Sequence, residues 1–403
     1  MDVLRIVVNK RISMKHIFLF FVLFLMGCTE SRNKYDENSL TAIKVDWDKV
    51  IDEFDYSSMV EDSVLMIPLE THANCLIGEV TKLIYQDSII YIADNLSKSV
   101  FVFDITGKLA TKINSPGNGP GEYVNITSFA VHDQDIVIFD HMMNRLFFYN
   151  ATSGEFVRDK DISPIWGVDM FEMGNKLYLV NNDSSSESGY FHLFSIDLAN
   201  SDEYDMYLPF EKVQDNQGWA VDAYYTQLED EALIYYWPYN TLYTVKNEDA
   251  YPSYWIDFGK KNLPEGLIGR DGRKALQAAI RENYVTGIER VYQSKAYLFL
   301  LYADSENDYT TIYDKKLGNI RTAKKIVNKK MGNLLLQSSR NGYIIQDEKI
   351  IQCYSADYAS YFKEEQFNDV SFYSEDLRQR FKNWCNWKTE EMNPIIFIQN
   401  LKQ

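Results

Sequence analysis

Residues 88–104 read SIIYIADNLSKSVFVFD, and residues 136–150 read IVIFDHMMNRLFFYN. When the two stretches are aligned at an offset of 46 residues, Asp94 matches Asp140. In both, an apolar segment ends on Asp, a short polar turn follows, and a second apolar segment ends on Asp or Asn. These residues suit turns because their side chains accept hydrogen bonds from the local backbone. The two stretches therefore predict a repeated β-hairpin.

The repeat extends beyond the hairpin in both directions. Val80–Tyr85 precedes the first copy and Leu109–Ile113 follows it, which makes four apolar segments in about 45 residues, the spacing of a propeller blade. Weaker copies continue, and a sixth unit has segments at Asn333–Ser339, Tyr343–Gln346 and Lys349–Tyr354. We therefore expect an all-β fold, a six-bladed β-propeller of four-stranded antiparallel blades.

The sixth unit lacks a fourth strand of its own, and Val64–Glu70 (VLMIPLE) is an unpaired apolar segment near the other end of the chain. We expect Val64–Glu70 to pair beside Lys349–Tyr354 and close the ring, because closure removes the free sheet edges. Glu375–Trp387 has helical spacing of its apolar residues, and Ser374 is a suitable N-cap. This helix and the following Ile395–Leu401 are expected to pack under the propeller.

These segments give a domain plan. It consists of a signal peptide at 1–27, a polar tether at 28–56, the propeller at 57–370 with a helical insertion at about 264–283, and a C-terminal helical extension at 371–403.

The N-terminal segment has the features of a targeting signal. Basic residues precede Ile17–Met26, an uncharged run of ten residues that is too short to cross a bilayer. It ends in Gly27-Cys28, which resembles a bacterial lipobox and predicts a diacylated Cys28 that holds the protein in a membrane. An ordinary signal peptide with a chance cysteine is the alternative, and Met1 and Met14 are both open as the start. Thr29 follows the cysteine, and by resemblance to bacterial lipoproteins this favours the outer membrane.

Charge and cysteine content narrow the classes further. The chain has 41 Lys+Arg against 58 Asp+Glu, a net charge of -17, and such a chain lacks the basic stripe that nucleic acid requires. Besides Cys28, the cysteines are Cys75, Cys353 and Cys385, an odd set without C-x-x-C spacing. We expect buried, small apolar side chains, with a Cys75–Cys353 disulfide as the alternative.

Four local motifs carry a resemblance to a known family. They are Leu76–Glu79 (LIGE), YIADN at 91–95, FVFDITGK at 101–108 and GNGPGEY at 117–123. Together they resemble the NHL-like six-bladed β-propeller lipoproteins of Gram-negative bacteria, over about residues 60–385. The resemblance implies the fold and a place in the cell envelope, and little chemistry.

Three candidate sites remain, each with a structural alternative. The glycine-rich loop 115–123 is expected to be an inter-blade turn that needs positive φ at several positions, or else a ligand contact at the rim. Asp94 and Asp140 are expected to form turns, with calcium ligation as the alternative. An aromatic cluster either packs in the core or stacks on sugars or peptide side chains. Its members are Trp219, Tyr224, Tyr225, Trp237 and Tyr239.

Signatures of catalysis are lacking in the sequence, which has no G-x-S-x-G and no H-E-x-x-H. The favoured hypothesis is therefore a non-catalytic, lipid-anchored binding or scaffolding protein of the cell envelope, without a cofactor, whose ligand is a protein or a carbohydrate. The alternative is a lactonase-like hydrolase or lyase with a calcium ion on the propeller axis, which rests on fold analogy alone. A sensory or assembly role in envelope systems such as nutrient uptake is a third hypothesis.

Overall fold

The structure is a computed structural model that describes residues 40–182, 190–198, 203–210, 223–236, 239–267, 272–336, 343–359, 367, 370–387 and 392–402. These residues form six β-sheets arranged as the blades of a propeller. The predicted six-bladed fold of antiparallel blades is therefore confirmed. The predicted signal peptide and Cys28 lie outside the described residues.

Blades one to three are each built from four consecutive strands. Their strands are β4 (Lys82–Gln86), β5 (Ile89–Asp94), β6 (Ser99–Asp104) and β7 (Leu109–Ile113); β8 (Ser128–His132), β9 (Asp135–Asp140), β10 (Arg145–Asn150) and β11 (Phe156–Asp161); and β12 (Asp169–Met173), β13 (Lys176–Val180), β14 (Phe191–Asp197) and β15 (Tyr204–Pro209).

Blades four to six also recruit segments from both ends of the chain. Blade four has β16 (Ala223–Gln227), β17 (Ala232–Tyr236), β18 (Thr241–Lys246), β19 (Asp249–Asp257) and β1 (Thr41–Lys44). Blade five has β20 (Ile288–Gln293), β21 (Tyr297–Ala303), β22 (Asp308–Asp314), β23 (Ile320–Asn328) and β2 (Ile51–Asp55), with the short β24 (Leu334–Leu335) beside β23. Blade six has β25 (Tyr343–Gln346), β26 (Lys349–Tyr354), β27 (Ile395–Asn400) and β3 (Leu65–Pro68). The α-helices are α1 (Gly272–Glu282), α2 (Ala356–Ala359) and α3 (Glu375–Trp387).

The strands read as continuous apolar runs because both faces of each blade are covered by neighbouring blades. In β5, Ile90 and Ile92 pack toward blade six, whereas Tyr91 and Ala93 pack toward blade two. Side chains alternate along a strand, so an uninterrupted apolar run buries both faces. Full burial of one such isoleucine contributes about 1.5–3 kcal/mol. Six clusters of this kind, one between each neighbouring pair of blades, hold the ring together.

The tight turn after the innermost strand also follows from the sequence. Asp87 and Ser88 both have positive φ, at 52° and 64°, and Asp347 and Glu348 repeat this in blade six. A two-residue turn with positive φ at both positions matches the twist of the strands it joins. Asp tolerates this backbone conformation better than most residues.

Ring closure occurs in the predicted blade but with a different partner. Ile67 pairs with Ile396 of β27, and β27 in turn pairs with β26. The expectation that Val64–Glu70 pairs directly with Lys349–Tyr354 is therefore wrong, because β27 lies between the two segments. The third strand of blade six is β27, which follows α3 in the sequence. The four-strand repeat could not be recognised there. The predicted Asn333–Ser339 strand is also misplaced, since Leu334–Leu335 pairs with β23 of blade five.

The segment predicted as a polar tether at 28–56 is structured from Thr41 onwards. Strand β1 pairs in parallel with β19, and β2 pairs in parallel with β23, so each adds a fifth strand to the outer edge of a blade. Between the two strands, the Trp47 Nε1–H donates a hydrogen bond to the carbonyl oxygen of Phe258 at 2.7 Å. The prediction failed here because short edge strands with one solvent-facing side carry many polar residues.

The C-terminal helix is confirmed and its expected position is revised. Leu377, Phe381 and Trp384 are buried against Phe397 of β27, and the Ser374 Oγ accepts the backbone N–H of Leu377 at 3.1 Å as an N-cap. The helix therefore packs beside blade six. Because Ile395–Asn400 is a strand of that blade, 371–403 is not a separate helical extension.

The predicted helical insertion between blades four and five contains α1. Within α1, Ala279 is buried, whereas Leu276 and Ile280 are exposed. Among the described residues, no helix is both long and apolar enough to cross a membrane.

Candidate functional site

The innermost strands of all six blades surround a central channel with a cavity of about 1040 Å³. Each innermost strand begins at one end of the channel, after the linker from the preceding blade, and we call this the linker end. It finishes at the opposite end, in the turn to the second strand of its blade, and we call this the turn end. Side chains from every blade line the channel, so its chemistry depends on which residues project from these six strands.

Lys82, the first residue of β4, extends from blade one across the channel. Its ammonium donates hydrogen bonds to the Ser128 Oγ at 2.8 Å, the Asp169 Oδ1 at 3.1 Å and the carbonyl oxygen of Met170 at 2.6 Å. It also lies 5.0 Å from the ring centroid of Tyr225 on blade four. A single side chain therefore links four of the six blades near the propeller axis.

The protonation of Lys82 limits the chemistry of this cluster. Burial alone would lower the pKa of Lys82, but the negative charge of Asp169 and the oxygen of Tyr225 outweigh it, so the pKa is raised above its usual value. A lysine acts as a general base toward a neighbouring serine only when its amine is neutral. The Lys82–Ser128 contact is therefore a charge-assisted hydrogen bond at neutral pH, and it does not activate a nucleophile.

Tyr224 and Tyr225, two residues of the predicted aromatic cluster, line the channel. Both rings already have partners in the protein. Tyr225 stacks on Phe171 with centroids 4.6 Å apart and has the Lys82 ammonium 5.0 Å from its ring centroid, while Tyr224 contacts the ring of Tyr235 and the guanidinium of Arg290. Stacking on a sugar, the ligand role suggested by the sequence, stays a prediction for these two residues.

The other predicted members of the cluster are placed differently. Tyr239 packs against the core between blades three and four and does not line the channel. Trp219 and Trp237 lie outside the described residues.

Arg290 supplies a second cation at the same level of the channel. Its guanidinium carbon lies 4.0 Å from the ring centroid of Tyr224, and one N–H donates to the carbonyl oxygen of Glu289 at 2.9 Å. Burial would lower the pKa of Arg290, but the oxygens of Tyr235, Tyr224 and Tyr292 raise it above its usual value. In the described part of the chain, Arg290 forms no ion pair with a carboxylate.

Asp94 and Asp140 occupy the turn positions predicted for them. Each buried carboxylate accepts backbone N–H groups from the linker that precedes its own blade and from the turn that follows its own strand. For Asp94 the donors are Gly78, Glu79, Leu96 and Ser97; for Asp140 they are Val124, Asn125, Met142 and Met143.

Neither carboxylate lines the channel. The described residues contain no group of three or more His, Cys, Asp or Glu side chains that could hold a metal ion. The alternative of calcium ligation by these two residues therefore has no geometric support in this part of the chain.

The glycine-rich loop is an inter-blade turn. Pro116 bridges to Tyr123, and the Glu122 side chain accepts the backbone N–H of Gly119 at 2.8 Å. Gly121 has φ of +75°, whereas Gly117 and Gly119 do not adopt positive φ. The expectation of several such positions was therefore too high. A Cβ at Gly117 would collide with the Glu122 carboxyl group and one at Gly119 would touch it closely, so either substitution would require the Glu122 side chain to move. The loop does not line the channel.

The three described cysteines are buried, and no disulfide joins them. Cys75 and Cys353 both belong to the cluster between blades six and one, without the alternative disulfide. Burial raises the pKa of Cys353 to about 12, so its thiol stays protonated and unreactive at neutral pH.

Four residues of the channel were not predicted from the sequence: Lys82, Ser128, Asp169 and Arg290. The first three are the opening residues of β4, β8 and β12, so they hold equivalent positions in three successive blades. That shared position was the available signal, but it is recognisable only after the innermost strands are aligned. Single polar residues at strand starts look like ordinary solvent-facing positions.

Comparison with solved structures shows likeness in fold. A Bacteroides fragilis NCTC 9343 protein described as exported is 18% identical, with 90% of this chain and 100% of that chain covered and a TM-score of 0.68. A member of the duf4221 family from Bacteroides vulgatus is 12% identical, with 85% and 98% covered and a TM-score of 0.46. The extracellular domain of a one-component system from B. thetaiotaomicron is 12% identical, with 69% and 33% covered and a TM-score of 0.38.

No curated protein matches this chain. The family model described as "Domain of unknown function (DUF4934)" matches residues 41–400, which include every blade and both added edge strands. The protein therefore belongs to the family described as Domain of unknown function (DUF4934).

Proposed function

We propose that the protein is a non-catalytic binding protein of the bacterial cell envelope that holds its ligand in the propeller channel. The observation that carries this proposal is the channel itself, a cavity of about 1040 Å³ lined from every blade, with tyrosines, amides, acidic side chains and the three cations Lys82, Arg290 and Lys295. A concave site with a few convergent polar groups is the usual form of a ligand site. The charged state of Lys82 argues against a Ser–Lys nucleophile at its centre.

A steric block of the channel tests this proposal. Thr81 lines the linker end, so Thr81→Trp is expected to fill the entrance, whereas Thr106→Trp places the same side chain in an exposed outer turn of blade one. Neutral and acidic oligosaccharides and short peptides are screened by calorimetry and thermal shift. We expect T81W to weaken the binding of any hit at least about tenfold, a loss of about 1.4 kcal/mol, while T106W binds as the parent does. Equal binding by T81W and the parent would place the ligand elsewhere.

We further propose that acyl chains on Cys28 anchor the propeller in a membrane, in the outer membrane of a Gram-negative cell, as in the NHL-like lipoproteins that its motifs resemble. The support is the short apolar run that ends at Gly27-Cys28 and the likeness of the fold to a protein described as exported. Each buried CH₂ of an acyl chain contributes about 0.8 kcal/mol to membrane binding, so the modification would dominate the membrane affinity.

Cys28→Ala tests the anchor. The variant cannot be acylated, and we expect it to move from the membrane fraction to the soluble fraction, with an unchanged melting temperature. Cys385→Ala, at a buried site in the propeller, is the control and should stay with the membrane. If the C28A protein still sediments with membranes as the parent does, the lipoprotein assignment is wrong.

A further inference from the structure

The two ends of the channel differ in charge. At the turn end, five of the charged residues that line the channel are acidic, and Lys295 is basic. The acidic residues there are Asp87, Glu172, Glu229, Asp347 and Glu348. At the linker end the charged lining residues are Lys82, Arg290, Asp169 and Glu79. An anion is therefore repelled from the turn end and is better accepted at the linker end.

The two positive and two negative residues at the linker end are not all paired with each other. The Lys82 ammonium and the Asp169 carboxylate are engaged with each other, and Glu79 is an exposed residue at the rim. Arg290 is partly buried and faces the channel, with its guanidinium carbon 4.0 Å from the ring centroid of Tyr224. The carboxylate of the neighbouring Glu289 interacts favourably with its charge, but in the described part of the chain no carboxylate lies within ion-pair distance of the guanidinium, so an anion in the channel can pair with it.

The geometry of Arg290 favours a particular kind of anion. The guanidinium of Arg290 has five N–H donors, of which one donates to the Glu289 carbonyl oxygen and Tyr224 is a further partner, so the remaining donors can match two oxygens of a carboxylate or phosphate. Around it, the linker end presents hydroxyl and amide side chains that suit a ligand with many hydroxyl groups. These side chains are Thr81, Asn95, Thr127 and Asn182.

We propose that the linker end of the channel binds the anionic group of a polyhydroxylated ligand, of the class of a uronate or a sugar phosphate, through an ion pair with Arg290. This inference rests on the proposed ligand-binding function and specifies its ligand. Lys82 remains paired with Asp169, so Arg290 makes the ion pair with the ligand. Tyr225 and Tyr224 lie against these two cations.

The experiment measures binding to the full-length protein by calorimetry. The probes are trigalacturonate, its fully methyl-esterified form, which keeps the rings and removes the charge, and glucose 6-phosphate beside glucose. We expect the acid or the phosphate to bind at least about tenfold more tightly than its neutral counterpart. The stronger of the two charged probes identifies the anionic group.

Arg290→Gln is expected to raise the dissociation constant of the charged probe about 10- to 100-fold, the loss of one charge-assisted hydrogen-bonded pair. The matched control is Arg158→Gln, because Arg158 also stacks on an aromatic ring, with its guanidinium carbon 3.5 Å from the Phe148 centroid, on the exposed outer strand of blade two. R158Q should bind as the parent does, and Arg290→Lys should retain part of the affinity.

Two results would overturn the inference: equal binding of charged and neutral probes, or unchanged affinity in a folded R290Q protein. If R290Q does not fold, the comparison of charged and neutral probes on the parent decides. A neutral ligand that is lost in T81W, with no preference for anions, would refute this inference and leave the proposed function standing. Binding of none of the probes or screened ligands would refute both.

Discussion

Replacing Ile67 by aspartate is expected to lower the free energy of unfolding by more than about 4 kcal/mol, or to prevent folding altogether. Ile67 is 1% exposed and packs in the cluster between blades six and one. A carboxylate there has no cation or hydrogen-bond donor of its own, and an unpaired buried charge is among the most destabilising changes a core can receive. Because Ile67 lies on the strand that closes the ring, the substitution weakens the packing between blade six and blade one.

Leu65→Asp is the matched control. Leu65 lies on the same strand but is 39% exposed, so its carboxylate would stay hydrated. We expect L65D to cost less than about 1 kcal/mol, as surface substitutions generally do. Chemical denaturation of the two variants beside the parent measures the difference. Similar midpoints for I67D and L65D would contradict the closing role of this strand.

The second large effect is expected at Lys82. Lys82→Met keeps the apolar stem but leaves the Asp169 carboxylate and the Met170 carbonyl oxygen without their cation. Breaking a fully buried pair by removing one partner costs about 3–5 kcal/mol, and the 29% exposure of the Asp169 side chain reduces this to about 2–3 kcal/mol. Urea denaturation of K82M against the parent measures the loss.

A double variant separates the lost charge pair from lost packing. K82M/D169N no longer holds an unpaired carboxylate, and we expect it to recover at least half of the stability lost in K82M. Lys112→Met serves as the control, since Lys112 lies over Phe101 on an exposed outer strand and should change stability by less than about 0.5 kcal/mol. No recovery in the double variant would mean that Lys82 acts mainly by packing.

Much of the fold could be predicted because its determinants are local. The repeated Asp94 and Asp140 mark turns within a few residues of themselves, and the apolar runs of β5 and β9 report burial on both faces. The closing strand was found for a related reason, as an apolar segment without a local partner. Its actual neighbour β27 was missed because α3 interrupts blade six and hides the repeat.

The channel chemistry was harder to predict because it is made of long-range contacts. Lys82, Ser128 and Asp169 lie in three blades and have no spacing motif in the sequence. The tyrosines at 224 and 225 were found from composition, but only the structure places cations over their rings. Where a partner comes from a distant blade, the sequence indicates residue type and says nothing of what it contacts.

The pairing of N-terminal strands with late segments in blades four, five and six affects the order in which the chain can fold. The three N-terminal strands pair with β19, β23 and β27, and each partner is made long after the strand that needs it. A chain that leaves the ribosome or a translocation pore N-terminus first therefore exposes apolar segments such as Leu65–Pro68 until nearly the whole sequence has emerged. Contacts this distant in sequence form slowly and leave strands open to aggregation in the meantime. The strand that completes blade six in the folded protein is therefore an unpaired apolar strand, and an expected site of aggregation, until β27 has been made.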